Sequence, residues 1–339
     1  VSPEQLDVSL LTNTATSRSL RVSNTGGSNY VFTAEPVALT PTGTVTVQGD
    51  ADNVDLAKDQ PDVLTGPAPL SAGGPDVFGY TFQDSDEPGG PVFAWTDISG
   101  TGTAIPFNGD DQNLGPFPVG FDFPYYGATF NSFRLCTNGW LTFTATNTQT
   151  TFTNTTLPNT GTSVPPNLLA AFWDDLDYRV AQAPNARAYY RYDGAKLIVQ
   201  FHNVPRRLES GTTATNTFQI QLFPNGTILY QYLTMNAVLK NSATIGMQNA
   251  TRNDGLQVNF NANYVKNDLA IRFLPPAKFL TVNPASGTVP PGGFVDLTVG
   301  FNAAGLFGGL YQGLVRINGN DPVLPQKNVP ANLTVTGVP

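Results

Sequence analysis

The sequence contains almost none of the residue types on which most catalytic and metal sites depend. Its 339 residues include one cysteine, Cys136, and one histidine, His202. A disulfide within the chain is therefore excluded, as are zinc or haem sites that draw on several such residues of one chain. No nucleophile signature accompanies His202, so we interpret it as a structural strand residue. Cys136 lies in an apolar and aromatic run, which predicts a buried, unreactive thiol.

Charge is also scarce. Charged residues make up 12% of the chain, about half the usual share, whereas glycine, proline, threonine and asparagine are abundant. A surface solvated by hydroxyls and amides is typical of secreted and cell-surface β proteins. The net charge of −8 argues against nucleic acid or an anionic membrane as a partner. No run of about 18 apolar residues occurs, so we expect no membrane insertion.

Helical periodicity is missing over any three turns, and the chain has strand signals instead. Two hairpins are indicated by alternating runs on either side of Asp-Gly or Asn-Gly, residues 188–192 with 196–201 and residues 218–223 with 227–232. Asp-Gly and Asn-Gly accept the positive φ angles of tight hairpin turns. The sequence therefore predicts an all-β protein built from β-sandwiches.

Three short segments rich in aromatic residues mark the centre of the chain: residues 121–127 (FDFPYYG), 137–143 (TNGWLTF) and 166–177 (PNLLAAFWDDLD). In this order they resemble the nidogen-like β domain of extracellular matrix and bacterial secreted proteins. The resemblance implies an aromatic-filled sandwich and an extracellular location, but it implies no particular chemical activity. We assign residues 76–276 to this module.

The two ends of the chain carry further strand signals: residues 6–10, 19–23 and 30–34, then 279–282, 294–301, 310–317 and 329–335. The joining runs 284–293 and 318–322 resemble those of bacterial immunoglobulin-like modules. Three strands cannot close a sandwich alone, whereas seven match one immunoglobulin-like domain. We therefore predict a discontinuous sandwich of residues 1–35 and 277–339, interrupted by the nidogen-like module. The alternative is that residues 1–35 pack on the linker or on a neighbouring molecule.

Residues 36–75 are rich in proline, glycine and aspartate and are predicted to be a linker. One short alternating piece within it, residues 44–47, is a candidate edge strand.

The sharpest acidic cluster is Asp174, Asp175 and Asp177. A carboxylate pair for glycoside hydrolysis is one reading, but a convincing partner motif is missing. Hard oxygen ligands for calcium are a second reading, with Asp110 and Asp111, or Asp122, as helpers. The third reading is a structural turn whose carboxylates accept backbone N–H bonds. Calcium is the one cofactor that the sequence suggests.

These patterns favour a non-catalytic secreted or cell-surface protein that assembles with itself into a fibre or surface layer. The run that contains Leu6, Val8 and Leu10 could add as a strand to the sheet edge of a neighbour. The alternative is an accessory module that binds glycans or matrix proteins and belongs to a larger exported enzyme. Both module types often follow a subtilisin-like peptidase domain, which this chain does not resemble. A sugar platform could then be formed by Trp95, Tyr125, Tyr126, Trp140 and Trp173, although we expect most of these aromatic residues to lie in the core.

Overall fold

The computed structural model describes residues 1–39, 71–211, 213–236, 241–276, 279–304, 306 and 308–337. These residues form 22 strands and one 3-10 turn, Arg207–Glu209, so the prediction of an all-β fold is confirmed. No helix within the described ranges is long and apolar enough to cross a membrane. The chain divides into two compact units, a terminal unit of Val1–Pro41 with Pro276–Pro339 and a central unit of Thr42–Pro275.

The terminal unit contains eight strands from the two ends of the chain. They are β1 (Leu6–Leu11), β2 (Ala15–Ser23), β3 (Tyr30–Leu39), β18 (Leu280–Asn283), β19 (Ser286–Val289), β20 (Phe294–Asn302), β21 (Gly309–Gly319) and β22 (Gln326–Thr336). One sheet has the order β1-β22-β21-β3-β19, and the other has the order β18-β20-β2. Apolar side chains of both sheets, such as Leu20, Phe32 and Val315, form one buried core.

Strand alternation explains why this unit folds as two facing sheets. Along β20, the side chains of Leu297, Val299 and Phe301 are buried, whereas those between them are not. Because successive side chains of a strand point to opposite faces, a single apolar face results. β20 pairs antiparallel with β2 over nine residues, from Ala15 with Asn302 to Ser23 with Phe294.

β1, the strand singled out for self-association, pairs in parallel with β22 of its own chain. Leu6 and Val8 are each 4% exposed and lie in the core of the terminal unit, and Leu10 packs against that core. These three side chains therefore contribute to the stability of their own unit. Any contact of β1 with a neighbour would use its backbone edge and its outward-facing side chains.

The predicted linker of residues 36–75 starts too early. β3 continues to Leu39 and passes through Pro36, which pairs with Val315 of β21. A proline fits there because β19 pairs only with Tyr30–Thr33, so the far side of β3 has no strand partner at Pro36 among the described residues. β4 (Ala72–Gly73) also lies within the predicted linker. Residues 44–47 fall outside the described ranges.

The joining run 284–293 also contains a strand that the sequence analysis missed. β19 is only four residues long and pairs with β3. Its sequence, Ser-Gly-Thr-Val, has a single buried apolar side chain, Val289. So short a segment offers little periodicity, and its pairing with β3 is what makes it a strand.

The central unit contains the remaining strands. They are β4, β5 (Thr81–Asp84), β6 (Thr103–Ile105), β7 (Asn113–Tyr125), β8 (Ala128–Cys136), β9 (Trp140–Thr142), β10 (Leu168–Trp173), β11 (Arg187–Tyr192), β12 (Leu197–Pro205), β13 (Thr215–Leu222), β14 (Ile228–Met235), β15 (Thr244–Gln248), β16 (Gly255–Phe260) and β17 (Leu269–Leu274). One sheet has the order β16-β15-β10-β9-β8-β7, and the other has the order β4-β5-β17-β14-β13-β12-β11-β6.

Both hairpins predicted from Asp-Gly and Asn-Gly are confirmed. β11 pairs with β12 from Tyr192 and Leu197 outward, and β13 pairs with β14 from Leu222 and Ile228 outward. Gly194 and Gly226 have φ angles of 97° and 88°, which residues with a side chain adopt only at a cost.

A large core rich in phenylalanine and tyrosine lies between the two central sheets. Tyrosine hydroxyls of β14 cross this core and donate to backbone carbonyls of the opposite sheet. Tyr230 bonds to the Gly246 oxygen at 2.9 Å, and Tyr232 bonds to the Ala171 oxygen at 2.6 Å. Ala171 lies where the pairing of β10 with β15 is irregular. These bonds satisfy the buried hydroxyls and join the two sheets.

Candidate functional site

Two of the three aromatic segments meet around Gly139. Its carbonyl oxygen accepts hydrogen bonds from the backbone N–H groups of Ala171 (3.2 Å) and Phe172 (3.1 Å). Gly139 has a φ of 77°, and a Cβ atom at this position would lie 1.8 Å from the carbonyl oxygen of Phe172. Only glycine permits so close an approach of two backbones. The Asn-Gly of residues 137–143 is therefore required by the packing against residues 166–177.

Asn138 ties the same two segments together through its side chain. Its Oδ1 accepts the backbone N–H of Leu176 at 3.0 Å, and its Nδ2 donates to Asp111 Oδ1 at 2.9 Å and to the Thr150 oxygen at 3.1 Å. The residue is fully buried. A buried amide that makes bonds in three directions fixes the positions of the chain segments around it.

Two tryptophans of these segments lie in a small second core. Trp140 and Trp173 are both 0% exposed, and the Nε1 of each donates to the carbonyl oxygen of Thr151 at 3.0 Å. Cys136 lies in the same cluster, where burial raises the pKa of its thiol to about 12. A thiol with such a pKa carries almost no thiolate at neutral pH, as expected of a structural cysteine.

Asp174 forms a buried ion pair. Its Oδ2 lies 2.6 Å from Nε of Arg206, and the two side chains are 6% and 4% exposed. Ser242 Oγ donates to the same carboxylate oxygen at 2.8 Å, and the backbone N–H of Asp175 donates to Oδ1 at 2.8 Å. The carboxylate of Asp174 is thus held by a cation, a hydroxyl and a backbone amide.

Asp177 is bound separately. Arg179 donates to both of its carboxylate oxygens, with Nη2 2.7 Å from Oδ2, and Ser210 donates to Oδ2 at 2.5 Å. Burial opposes ionisation of this carboxyl, but the hydrogen bonds from Arg179 and Ser210 outweigh it and lower the pKa of Asp177. Asp174 and Asp177 therefore each have their own basic partner.

Asp175 lies with a different pair of carboxylates. Carboxylate oxygens of Asp110, Asp111 and Asp175 lie within 4.8 Å of one another, and all three residues are partly buried. Arg207 Nε approaches Asp110 Oδ2 at 3.1 Å. Asp110 and Asp111 were named from sequence as helpers of the acidic segment, whereas Asp122, the other named helper, is exposed on β7.

This group, which we call the Asp110-Asp111-Asp175 cluster, has the donor chemistry of a calcium site. Calcium takes six to eight oxygen ligands from carboxylates, carbonyls and water. Three carboxylates supply part of such a set, and Arg207 lies beside one of them, Asp110. The segment that contains Asp174, Asp175 and Asp177 therefore contributes Asp175 to the cluster, while Asp174 and Asp177 hold arginines.

His202 lies on β12 in a polar cluster on the outer face of the eight-stranded sheet. Its ring nitrogens lie 3.4 Å from Gln200 Nε2 and 2.9 Å from Asn203 Nδ2. Partial burial lowers the pKa of the imidazole, although nearby Asp97 acts in the opposite direction. Within the described ranges, no cysteine accompanies His202, because Cys136 is buried in the second core.

A row of buried glutamines on the same face was missed by the sequence analysis. Gln200, Gln219 and Gln231, on three neighbouring strands, are 0% exposed and bind the backbone of residues 94–98. Ala94 and Gln231 exchange two hydrogen bonds at 2.7 and 2.9 Å, Gln219 Nε2 donates to the Thr96 oxygen at 2.8 Å, and the Ile98 N–H donates to Gln200 Oε1 at 3.1 Å. The glutamine carboxamides form hydrogen bonds with backbone peptide groups, and these bonds hold residues 94–98 across β12, β13 and β14. The available signal was glutamine at two alternate positions of β13, residues 219 and 221.

Most of the aromatic residues considered as a sugar platform are structural. Tyr125, Trp140 and Trp173 are buried. Trp95 is partly exposed and stacks on Phe93 with ring centroids 6.4 Å apart.

The arrangement of these segments agrees with a comparison against known families. A family model described as NIDO related matches residues 79–289, more than half of the chain. The chain belongs to the NIDO-related family. The nidogen-like resemblance is confirmed at this level, and the match covers all three aromatic segments. It ends at Val289, the last residue of β19. No curated protein matches the chain. The bacterial immunoglobulin-like module and the subtilisin-like context stay predictions.

Proposed function

We propose that this NIDO-related protein is a non-catalytic, secreted or cell-surface structural protein that assembles with itself. The observation that supports a non-catalytic role is that the side chains most suited to catalysis make structural contacts. Asp174 and Asp177 are bound to arginines, the thiol of Cys136 is buried, and His202 contacts the amides of Gln200 and Asn203. Each of these groups has a structural environment rather than that of a nucleophile or a general base.

Composition supports the extracellular part of the proposal. A β protein with 12% charged residues presents a surface of hydroxyls and amides, which suits contact with other protein surfaces in a fibre or surface layer. Two compact β units in one chain also suit a building block of such an assembly.

We propose calcium as the one cofactor of this assembly, bound at the Asp110-Asp111-Asp175 cluster. In millimolar calcium, the free energy of unfolding of the central unit should rise by about 1–3 kcal/mol, because the ion binds only the folded cluster. The thermal midpoint should rise accordingly. Thermal unfolding followed by tryptophan fluorescence is the measurement.

The matched variants are Asp175→Asn, which removes one carboxylate of the cluster, and Asp122→Asn, which removes an exposed carboxylate elsewhere on the unit. Asp175→Asn should abolish most of the calcium effect, and Asp122→Asn should preserve it. An equal response of both variants would show that calcium binds elsewhere. The lack of any response in the unsubstituted protein would mean that the cluster is purely structural.

Electron microscopy of the purified protein, with and without a calcium chelator, tests the proposed function itself. Ordered fibres or lattices are the expected result, and their dissolution by the chelator would connect calcium with assembly. A dispersed monomer at all concentrations would refute self-assembly. It would favour the accessory-module alternative, in which the protein binds glycans or matrix proteins beside an exported enzyme such as a subtilisin-like peptidase.

A further inference from the structure

The sheet edges of the two units differ in how they are protected against pairing with another chain. β4, β6, β18 and β19 are edge strands of only two to four residues. β7 is long but carries Pro116, Pro118 and Pro124. Proline and short length both discourage the addition of a further strand.

Two further edges have other protection. β2 carries Arg18 and Arg21, and the N-terminal segment bridges it through two backbone hydrogen bonds between Ser2 and Arg21, at 3.0 and 2.8 Å. At the β16 edge strand, the side chain of Gln257 accepts the Leu157 N–H through Oε1 at 2.9 Å. Charged residues and covering segments are common protection for exposed edges.

β1 lacks most of these protective features, and Asp7 is its one charged residue. Its sequence, LDVSLL, contains no proline and no basic residue. One side of the strand pairs with β22, and the other side has no strand partner within the described ranges. Its inward side chains are apolar, and the outward ones, Asp7, Ser9 and Leu11, are exposed. This edge therefore retains the hydrogen-bonding groups to which a further strand could add.

We infer that the β1 edge is the contact between two copies of this chain, which pair antiparallel through β1 about a two-fold axis. The inference rests on the proposed self-assembly and specifies its contact. The occupant is argued from the strand itself, which is self-complementary. In an antiparallel pair centred on Val8, Leu6 lies opposite Leu10 of the second copy, and Asp7 lies opposite Ser9 of the second copy.

This register matches side chains on both faces of the extended sheet. Apolar side chains lie opposite apolar ones on the core side, because alternate residues of a strand share a face. On the outer face, Asn332 Nδ2 donates to Asp7 Oδ1 at 2.9 Å, and the hydroxyl of Ser9 from the second copy would extend this polar row. No like charges oppose each other, as they would if Asp7 lay opposite Asp7. A two-fold contact joins two chains, so a longer assembly needs a second contact on another surface.

Two substitutions of the exposed Ser9 test the contact and its register. Ser9→Asp places a carboxylate opposite Asp7 twice in each dimer and should raise the dimer dissociation constant by about tenfold or more. Ser9→Lys places an ammonium opposite Asp7 and should lower the dissociation constant by about threefold at low salt, an effect that salt should reduce. Sedimentation velocity of the whole chain measures both. If both variants weaken the dimer equally, the substitutions disturb the edge without regard to charge, and the register that places Ser9 opposite Asp7 is refuted.

Two variants that each carry one introduced cysteine test the register directly. Asp7→Cys and Ser9→Cys chains should form a disulfide-linked dimer when mixed under oxidising conditions, whereas each alone should crosslink much less. Because Cys136 is buried, the crosslinking reports on the introduced, exposed cysteines. Crosslinking of either variant alone to the same extent as the mixture, or no crosslinking of the mixture, would refute the register centred on Val8.

The outcomes separate this inference from the proposed function. If the unsubstituted protein assembles and neither Ser9 variant alters the assembly, self-association uses another surface and only the β1 contact is refuted. If the unsubstituted protein is monomeric at all concentrations, both proposals fail. Unchanged thermal unfolding of the Ser9 variants serves as the control that the terminal unit still folds.

Discussion

Gly139→Ala should destabilise the central unit by at least about 4 kcal/mol, which is exceptional for a single substitution. Alanine at a φ of 77° costs about 1–2 kcal/mol by itself. The added Cβ would also lie 1.8 Å from the Phe172 carbonyl oxygen, so β9 or β10 would have to move. That movement would disturb the two hydrogen bonds that the Gly139 oxygen accepts. Urea unfolding followed by tryptophan fluorescence measures the loss, because Trp95, Trp140 and Trp173 all lie in the central unit.

Gly194→Ala is the matched control. Gly194 also has a positive φ, 97°, but a Cβ atom there would meet no other atom within 4 Å. Only the backbone strain applies, so the expected loss is about 1–2 kcal/mol. Failure of the Gly139 variant to fold, with a folded Gly194 variant, would be the extreme form of the expected result. Equal losses in the two variants would contradict the close contact between residues 137–143 and 166–177.

Arg206→Met should destabilise the central unit by about 3–5 kcal/mol. The substitution leaves the Asp174 carboxylate, 6% exposed, without its cation, and an uncompensated buried charge is strongly unfavourable. Methionine keeps much of the volume of the arginine side chain, so the effect reports mainly on charge. The same urea unfolding experiment provides the measurement.

Two further variants test this explanation. Arg206→Met combined with Asp174→Leu should recover most of the lost stability, because the buried charge is then removed as well. Lys266→Met breaks the ion pair with Asp86, whose two side chains are each 53% exposed, and should cost less than about 1 kcal/mol. A double variant as unstable as Arg206→Met alone would mean that the arginine acts through packing and not through its charge.

Local sequence patterns were sufficient for the hairpins and the fold class, because alternation and turn residues act over a few neighbouring positions. The arrangement of the candidate site could not be predicted from such local patterns. The acidic run suggested a single group of Asp174, Asp175 and Asp177, but the chain turns between them. Each carboxylate consequently faces a different neighbour: Arg206, the Asp110-Asp111 pair and Arg179 respectively. The direction of each side chain in a turn depends on the backbone angles, which residue identity alone does not determine.

The sequence by itself determined that this protein is all-β, that it cannot form a disulfide within the chain or a zinc site built from several cysteines and histidines, and that its centre resembles the nidogen-like domain. The first two conclusions depend on composition and on short-range periodicity, whereas the third depends on the resemblance of residues 121–127, 137–143 and 166–177 to a known family. The tertiary structure decided that Gly139 approaches the backbone of Phe172, that glutamines of β12, β13 and β14 hold residues 94–98, and that β1 pairs with β22. Each of these contacts joins residues far apart in the chain, so it arises only when the sheets pack and bring their backbones together.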